Sequence, residues 1–159
     1  PLVSARDYAS DNVPKIAGTK LAVLFDQDHG PATYGVADKL ANFFERVILI
    51  TPRTHIAQRV NHCSSIGVYR RLYDAHVEII TAHEPVLIEK NRLVCRNVYV
   101  DRVSNFDNVD LLVYSTPRTA IDNLVVDFNK FEVHMVGDCQ SPRDLLAAIH
   151  GGHDVGNLI

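Results

Sequence analysis

The chain has 159 residues, is 47% hydrophobic and 22% charged, and carries a formal net charge of −3. These values suit one ordinary globular core and exclude the broad basic surface that nucleic-acid binding requires, and with no apolar run of bilayer length and no signal peptide, neither nucleic acid nor a membrane is an expected partner. The three cysteines, Cys63, Cys95 and Cys139, form no CxxC pair and leave an odd number, a pattern that points to a reducing compartment, the cytoplasm by default.

The chain opens on Pro1, which suggests that the natural start lies upstream, and residues 1–19 carry too few apolar positions in period to read as more than a linker or approach segment. Residues 21–25, LAVLF, form a continuous apolar run of strand length, as expected for a central parallel strand covered on both faces. Asp26 to Pro31 cannot continue it. From Ala32 the apolar positions Val36, Ala37, Leu40, Ala41, Phe43 and Phe44 return at helical spacing, and residues 47–50 make a second buried strand. The crossover between these parallel strands must be right-handed.

A strand, glycine-bearing loop, helix and strand in this order can hold a pyrophosphate over the helix N-terminus. The loop reads Gly30-x-Ala32-x-x-Gly35, so the third glycine of GxGxxG, which lets helix and strand pack closely, is present and the second is replaced by Ala32. Asp26 and Asp28 add like charge against a phosphate. After the second strand, Arg53 stands where an arginine can meet the 2′-phosphate of NADP and an acidic residue the ribose of NAD; the plainer alternative is an exposed arginine after a turn.

Residues 56–65 have no clear period, and the adjacent His62 and Cys63 lack a second ligand pair, so no metal site is expected. Residues 67–76 read as a short helix and 77–80 as a third strand. Three alternating runs, 85–88, 92–95 and 97–100, suggest an antiparallel meander. Residues 110–114 return to the parallel sheet and end in Ser115-Thr116-Pro117-Arg118. Residues 121–128 are apolar and short enough for a helix turn, and 133–136 read as a final strand. Ser141 as N-cap, Pro142 at the first helical position and Asp144 reaching back then open a helix that stops at Gly151-Gly152. No nucleophile, histidine and acid set has catalytic spacing, and His150 and His153 read as surface residues.

The terminal run VHMVGDCQSPRDLLAAIHGGHDVGNLI resembles the C-terminal signature of the trimethylamine dehydrogenase and 2,4-dienoyl-CoA reductase group of NADH:flavin oxidoreductases, with Gly137, Asp138, Pro142 and Arg143 at the matching positions. GTKLAVLFD, the helix through residues 37–41, the Val-x-Ile-x-Thr-Pro strand end, and Arg70-Arg71-Leu72 through His76-Val77-Glu78 resemble the same group in the same order. The resemblance implies an α/β, three-layer Rossmann-like parallel sheet with a small antiparallel β meander, of the FAD/NAD(P)-binding domain type. It implies that residues 20–130 are an NAD(P)-type domain and residues 131–159 the return strand and helix of an FAD- or ADP-type domain, both from a multidomain NAD(P)H:flavin oxidoreductase and inactive alone.

On this resemblance Gly30, Ala32, Gly35, Arg53, Gly137, Asp138 and Arg143 are the cofactor-binding candidates, with Asp138 beside an adenine nucleotide's ribose or pyrophosphate. NAD(P)H, and FAD or ADP in the larger protein, are the implied cofactors; FMN and an iron-sulfur cluster belong to portions that would precede this chain. Those FMN-barrel and flavin-domain portions, and a second copy in a homo-oligomer, are the implied partners. Pro117 stands where the group carries a glycine, and it removes an N–H donor and fixes φ. With Ala32 and the two aspartates it supports an alternative, a degenerate, nucleotide-free Rossmann-like scaffold or interaction domain. A phospho-acceptor receiver domain fails because the third strand ends Ile80-Thr81 with no aspartate.

Overall fold

A computed structural model describes residues 1–14, 16, 18–128 and 130–159; Lys15 and Ala17 of the opening segment, and Asn129 at the end of the expected NAD(P)-type domain, lie outside the described residues. The chain divides into two compact units, Pro1–Thr116 and Pro117–Ile159, so residues 117–130 group with the C-terminal piece.

The first unit runs β1 (Leu2–Ser4), α1 (Ala5–Ala9), β2 (Leu21–Asp26), α2 (Pro31–Ala41), β3 (Arg46–Ile50) and α3 (His62–Asp74). It continues through β4 (Glu78–Ile80), β5 (His83–Glu89), β6 (Arg92–Asn97), β7 (Val103–Phe106) and β8 (Leu111–Ser115). Five strands form a parallel sheet in the order β1-β8-β2-β3-β4, and β5-β6-β7 form a separate antiparallel sheet.

Period-2 alternation in the apolar runs sorts side chains between two cores. Ala22 and Leu24 of β2, Val47 and Leu49 of β3, and Leu111 and Val113 of β8 pack with Tyr34, Ala37 and Leu40 of α2 and Val68 and Leu72 of α3. Leu21, Val23, Ile48, Ile50 and Leu112 pack instead with Leu93 and Cys95 of the meander. The three layers are therefore helices, parallel sheet and meander, which is the expected fold class. Both faces of the central strands are covered, and this explains why their sequences are apolar without a polar alternate.

Six local expectations are corrected, three of them in the first unit. The opening segment is more than an approach: β1 adds a parallel edge strand on β8, and Val3 and Tyr8 enter the core. The helix expected at 67–76 begins at His62, because the Asn61 side chain accepts from Cys63 N at 2.9 Å and caps it. The third meander strand is 103–106 and not 97–100. Asn97 Oδ1 accepts from the N–H groups of Tyr99 and Val100 at 3.0 and 3.2 Å, a side-chain-closed turn that ends β6 before the strand resumes.

The second unit supplies the other three. It contains 3₁₀ turns at Asn123–Phe128 and Gly137–Cys139 and the helix α4 (Leu145–Gly156). Residues 133–136, read as a strand, join no sheet among the described residues, since a strand exists only with a neighbour to receive its hydrogen bonds. Asp144, not Ser141, caps α4, its Oδ1 accepting from Ala147 N at 2.8 Å, and Pro142 precedes the helix. The helix passes through Gly151-Gly152: a glycine stop needs positive φ, and among the described glycines only Gly137 has it, at 71°.

Cys95 is fully buried under the meander, and burial pushes its thiol up to about 11, whereas Cys63 and Cys139 are exposed. Thiolate is the reactive form. Titration of the folded chain with a thiol-specific chromogenic disulfide near pH 8 should therefore count two thiols, the third appearing only in denaturant. Three thiols reacting at once under native conditions would contradict the meander packing.

Candidate functional site

The sheet order makes the boundary between β2 and β8 a topological switch point: from β2 the chain proceeds to β3 and β4 on one side and returns to β8 on the other. Ligands of open parallel sheets bind in the crevice beyond the carboxyl ends of strands at such a point. Here it is flanked by Asp26 and Ser115, which are register partners at the ends of β2 and β8. Alternation directs both toward the helix layer, against α2.

Asp26 has no exposed surface. Its Oδ1 accepts from His29 N at 2.8 Å and its Oδ2 from Tyr34 Oη at 2.7 Å. Tyr34, also fully buried, accepts from Ala57 N at 2.5 Å, so one phenol joins the β2 end to the loop after β3. His29 has a positive φ of 59° and is 3% exposed; its Nε2 lies 3.3 Å from Thr51 Oγ1, and its Nδ1 lies 3.5 Å from Asp26 Oδ2 without a hydrogen bond. Thr33 Oγ1 and Ser115 Oγ share a 2.6 Å hydrogen bond. At the rim, Arg59 Nη1 donates to Asp28 Oδ1 at 2.6 Å and Arg59 N to His29 O at 3.2 Å.

These bonds engage the amides of residues 27–29 and 33, donors that a pyrophosphate over this loop would otherwise meet. The N–H groups of Gln27 and Asp28 both donate to Ser115 O, at 2.8 and 3.1 Å, that of His29 goes to Asp26, that of Thr33 goes to Gly30 O at 3.2 Å, and Pro31 has none. Gly30 is buried at the N-cap, where an added Cβ would come within 2.5 Å of the Asp28 carboxylate. Ala32 and Gly35 are exposed on α2, and a Cβ on Gly35 would meet nothing within 4 Å. Close helix-strand packing is therefore not what places a glycine at 35, a correction to the motif reading. Arg53 is exposed on the loop after β3, its N–H directed to Thr51 Oγ1 at 3.3 Å. Asp28 is neutralised by Arg59, and Asp26 serves as an internal acceptor. Sequence reasoning missed His29, Thr33, Tyr34 and Ser115. The available signal was Tyr34 on the buried face of α2, a hydroxyl that needs a partner.

Gly137, Asp138 and Arg143 come together in the second unit. Arg118 Nη1 donates to Asp138 Oδ2 at 2.7 Å, and its Nη2 donates to the Arg143 carbonyl. Beside them a cleft of about 560 Å³ is lined by Gly137, Asp138, Ser141, Arg143, Asp144 and His150, among others. Positive φ at Gly137 turns the backbone sharply into it, and the exposed Asp138 has an oxygen that Arg118 does not engage. The start of α4 is occupied by the Asp144 cap.

The fold is Rossmann-like, of the FAD/NAD(P)-binding domain type. Its structural neighbours include histamine dehydrogenase from Rhizobium sp. 4-9, with a TM-score of 0.82 and 22% identity over 97% of this chain and 25% of that one. They also include 2-naphthoyl-CoA reductase, with a TM-score of 0.79 and 20% identity over 99% of this chain and 23% of that one. Thioredoxin reductase from Lactococcus lactis matches at a TM-score of 0.65 and 16% identity, over 98% of this chain and 55% of that one. Neighbours of the trimethylamine dehydrogenase type thus cover most of this chain at low sequence identity, and what they share with it is the fold. The chain spans about a quarter of the first two. No family model and no curated protein matches the sequence.

Two predictions follow from the buried cluster. Tyr34→Phe leaves Asp26 Oδ2 and Ala57 N without a partner and should lower stability by about 2–3 kcal/mol in denaturant unfolding, far more than an exposed hydroxyl would. The second concerns pH. Burial lowers the pKa of His29 from 6.5, against the opposing pull of Asp26, while burial raises Asp26 from 3.8. Neutral His29 contributes stability that is complete above 6.5 and lost as pH falls toward its folded value, whereas Asp26 loses stability as pH rises above 3.8. Removing the imidazole should make His29→Gln less acid-sensitive than the parent chain. Its stability deficit should narrow between pH 7.5 and pH 5.5; a deficit constant across that range would contradict a neutral buried imidazole.

Proposed function

We propose that this chain is the nucleotide-binding region of a larger NAD(P)H:flavin oxidoreductase, where it assists electron transfer to or from flavin in the cytoplasm. The observation that carries the reading is the match of essentially the whole chain, both units included, to a quarter of a histamine dehydrogenase and of a naphthoyl-CoA reductase. The resemblance in GTKLAVLFD and in Gly137-Asp138 through Pro142-Arg143 supports it independently.

Within this reading the nucleotide is ADP or the adenine half of FAD, at the Gly137-Asp138 turn. The donor set fits a ribose. Asp138 can accept from adjacent hydroxyls with the oxygen left free by Arg118, Gly137 brings backbone close without a Cβ, and Arg143 lines the same cleft. Asp144 at the N-cap of α4 keeps a phosphate off that helix start and directs it toward Arg143. A flavin bound there would supply the redox chemistry, and this chain's residues bind and orient it. Residues 133–136, of strand composition but without a ladder, and the exposed Leu145, Leu146 and Ile149 of α4 suit a sheet completed by flavin-domain polypeptide outside this chain. An FMN barrel and an iron-sulfur cluster belong to that same proposed parent.

A second reading concerns the first unit alone. The consumed amides of residues 27–29 favour a scaffold that keeps the Rossmann-like fold without holding NAD(P)H. Calorimetric titration of the folded chain with ADP, NADH and NADPH tests both readings. Saturable ADP binding, weakened about tenfold or more by Asp138→Ala, supports the second-unit site. NADPH preferred over NADH and lost on Arg53→Glu would sink the scaffold reading of the first unit. No binding of any nucleotide by demonstrably folded protein would sink the nucleotide assignment.

A further inference from the structure

We propose that residues 54–59, in the loop after β3, form a lid over the carboxyl end of β2 that a proton on His29 unlatches. Arg53 O accepts from Ala82 N at 2.9 Å, which keeps the chain up to Arg53 on the sheet end. Beyond it the segment belongs to no ladder. Ile56 N donates to Tyr69 Oη at 3.3 Å and Ala57 N to Tyr34 Oη at 2.5 Å, so two phenols hold consecutive amides. Arg59 N donates to His29 O at 3.2 Å, and Arg59 Nη1 pairs with Asp28 Oδ1 at 2.6 Å. The apolar anchor is Ile56, 1% exposed, beside Ala57. Lifting the lid breaks these few bonds and uncovers one large apolar side chain, far less than unfolding the unit does.

His29 joins the lid to a titratable group. Its backbone, at positive φ, accepts the Arg59 amide, while its buried ring places Nδ1 3.5 Å from Asp26 Oδ2 without a hydrogen bond. Its Nε2 lies beside Thr51 Oγ1, which also accepts from Arg53 N. The charges around the ring are divided: Asp26 and Asp28 favour a cation there, whereas Arg53 and His55 oppose one. Of the other polar groups nearby, Tyr34 is engaged with Asp26, Arg59 with Asp28, and His83 turns its Nδ1 to Thr81 O. Burial outweighs the acids and holds the closed-state imidazole below its ordinary 6.5. Once the lid lifts, water reaches the ring and restores that ordinary value, so protons bind the open state in preference and drive opening as pH falls below 6.5. Asp26 acts in the opposite sense, because burial raises it and a proton on it favours the closed state. Opening that increases with acid is therefore the signature of His29. The lid lies wholly in the first unit, apart from the cleft assigned to a nucleotide.

Amide hydrogen exchange at pH 7.5 and pH 5.5, with rates corrected for the intrinsic effect of pH, is the test. Protection of the Ile56, Ala57 and Arg59 amides should fall about five- to tenfold at the lower pH, tenfold being roughly the most that one proton allows across this window. The opening should be insensitive to low denaturant, while ladder amides of β2 and β3 exchange through a denaturant-sensitive one. His29→Gln should abolish the fall, and so should His29→Asn, a residue type that tolerates positive φ. His55→Gln should keep it. Unchanged protection, a fall that persists in either His29 variant, or one lost in His55→Gln overturns the proposal. Lid amides that share the denaturant dependence of the ladder overturn it too, since they would open only with the whole unit.

Discussion

Everything at the carboxyl end of the parallel sheet follows from burying one carboxylate. Asp26 ends the central strand with no contact to water, and an uncompensated carboxylate there would cost several kcal/mol. It is satisfied by the amide of His29 and the phenol of Tyr34, and each tie has a structural consequence. The first folds the loop back on the strand and holds His29 at positive φ. The second brings in the amide of Ala57, so that the loop after β3 closes over the end of β2. Ser115, from β8 on the other side, takes the next two amides through its carbonyl. The crevice that parallel sheets commonly offer to a ligand is organised here around the protein's own side chains.

The second unit shows the opposite condition. Its Gly137-Asp138 turn and the approach to α4 are held by one guanidinium that bridges a carboxylate and a carbonyl. Most of its large apolar side chains remain exposed, including Phe131, Leu145, Leu146 and Ile149. A helix with an uncovered apolar face is held by its cap and its backbone ladder more than by packing. The first unit carries a dense double core; the second carries a cleft and a surface suited to further polypeptide.

The fold was largely legible because both cores depend on patterns that a linear reading can see. LAVLF and VILI are apolar at every position, which marks strands covered twice, and α2 repeats its apolar positions at helical spacing. The misreadings share a cause. Asn61 and Asn97 act through side-chain hydrogen bonds to nearby amides, moving the start of one helix and the end of one strand. Asp144 competes with Ser141 for the cap of α4 and takes it. Gly35 completes a motif in sequence while facing open space. Such choices turn on a single hydrogen bond or a single φ, which composition and period do not resolve.

The sequence by itself determined the layers and the parallel strands, because local apolar period acts between near neighbours in the chain; Gly137 and Asp138 are singled out by their resemblance to a family and not by period. It also showed acidic residues where a phosphate loop would tolerate them poorly. Tertiary structure alone decided what those acids do. Asp26 and Tyr34 are eight positions apart, and Tyr34 and Ala57 twenty-three, while Thr33 reaches Ser115 across eighty-two. Only the assembled sheet brings those groups within hydrogen-bond range, and only their burial makes the bonds obligatory.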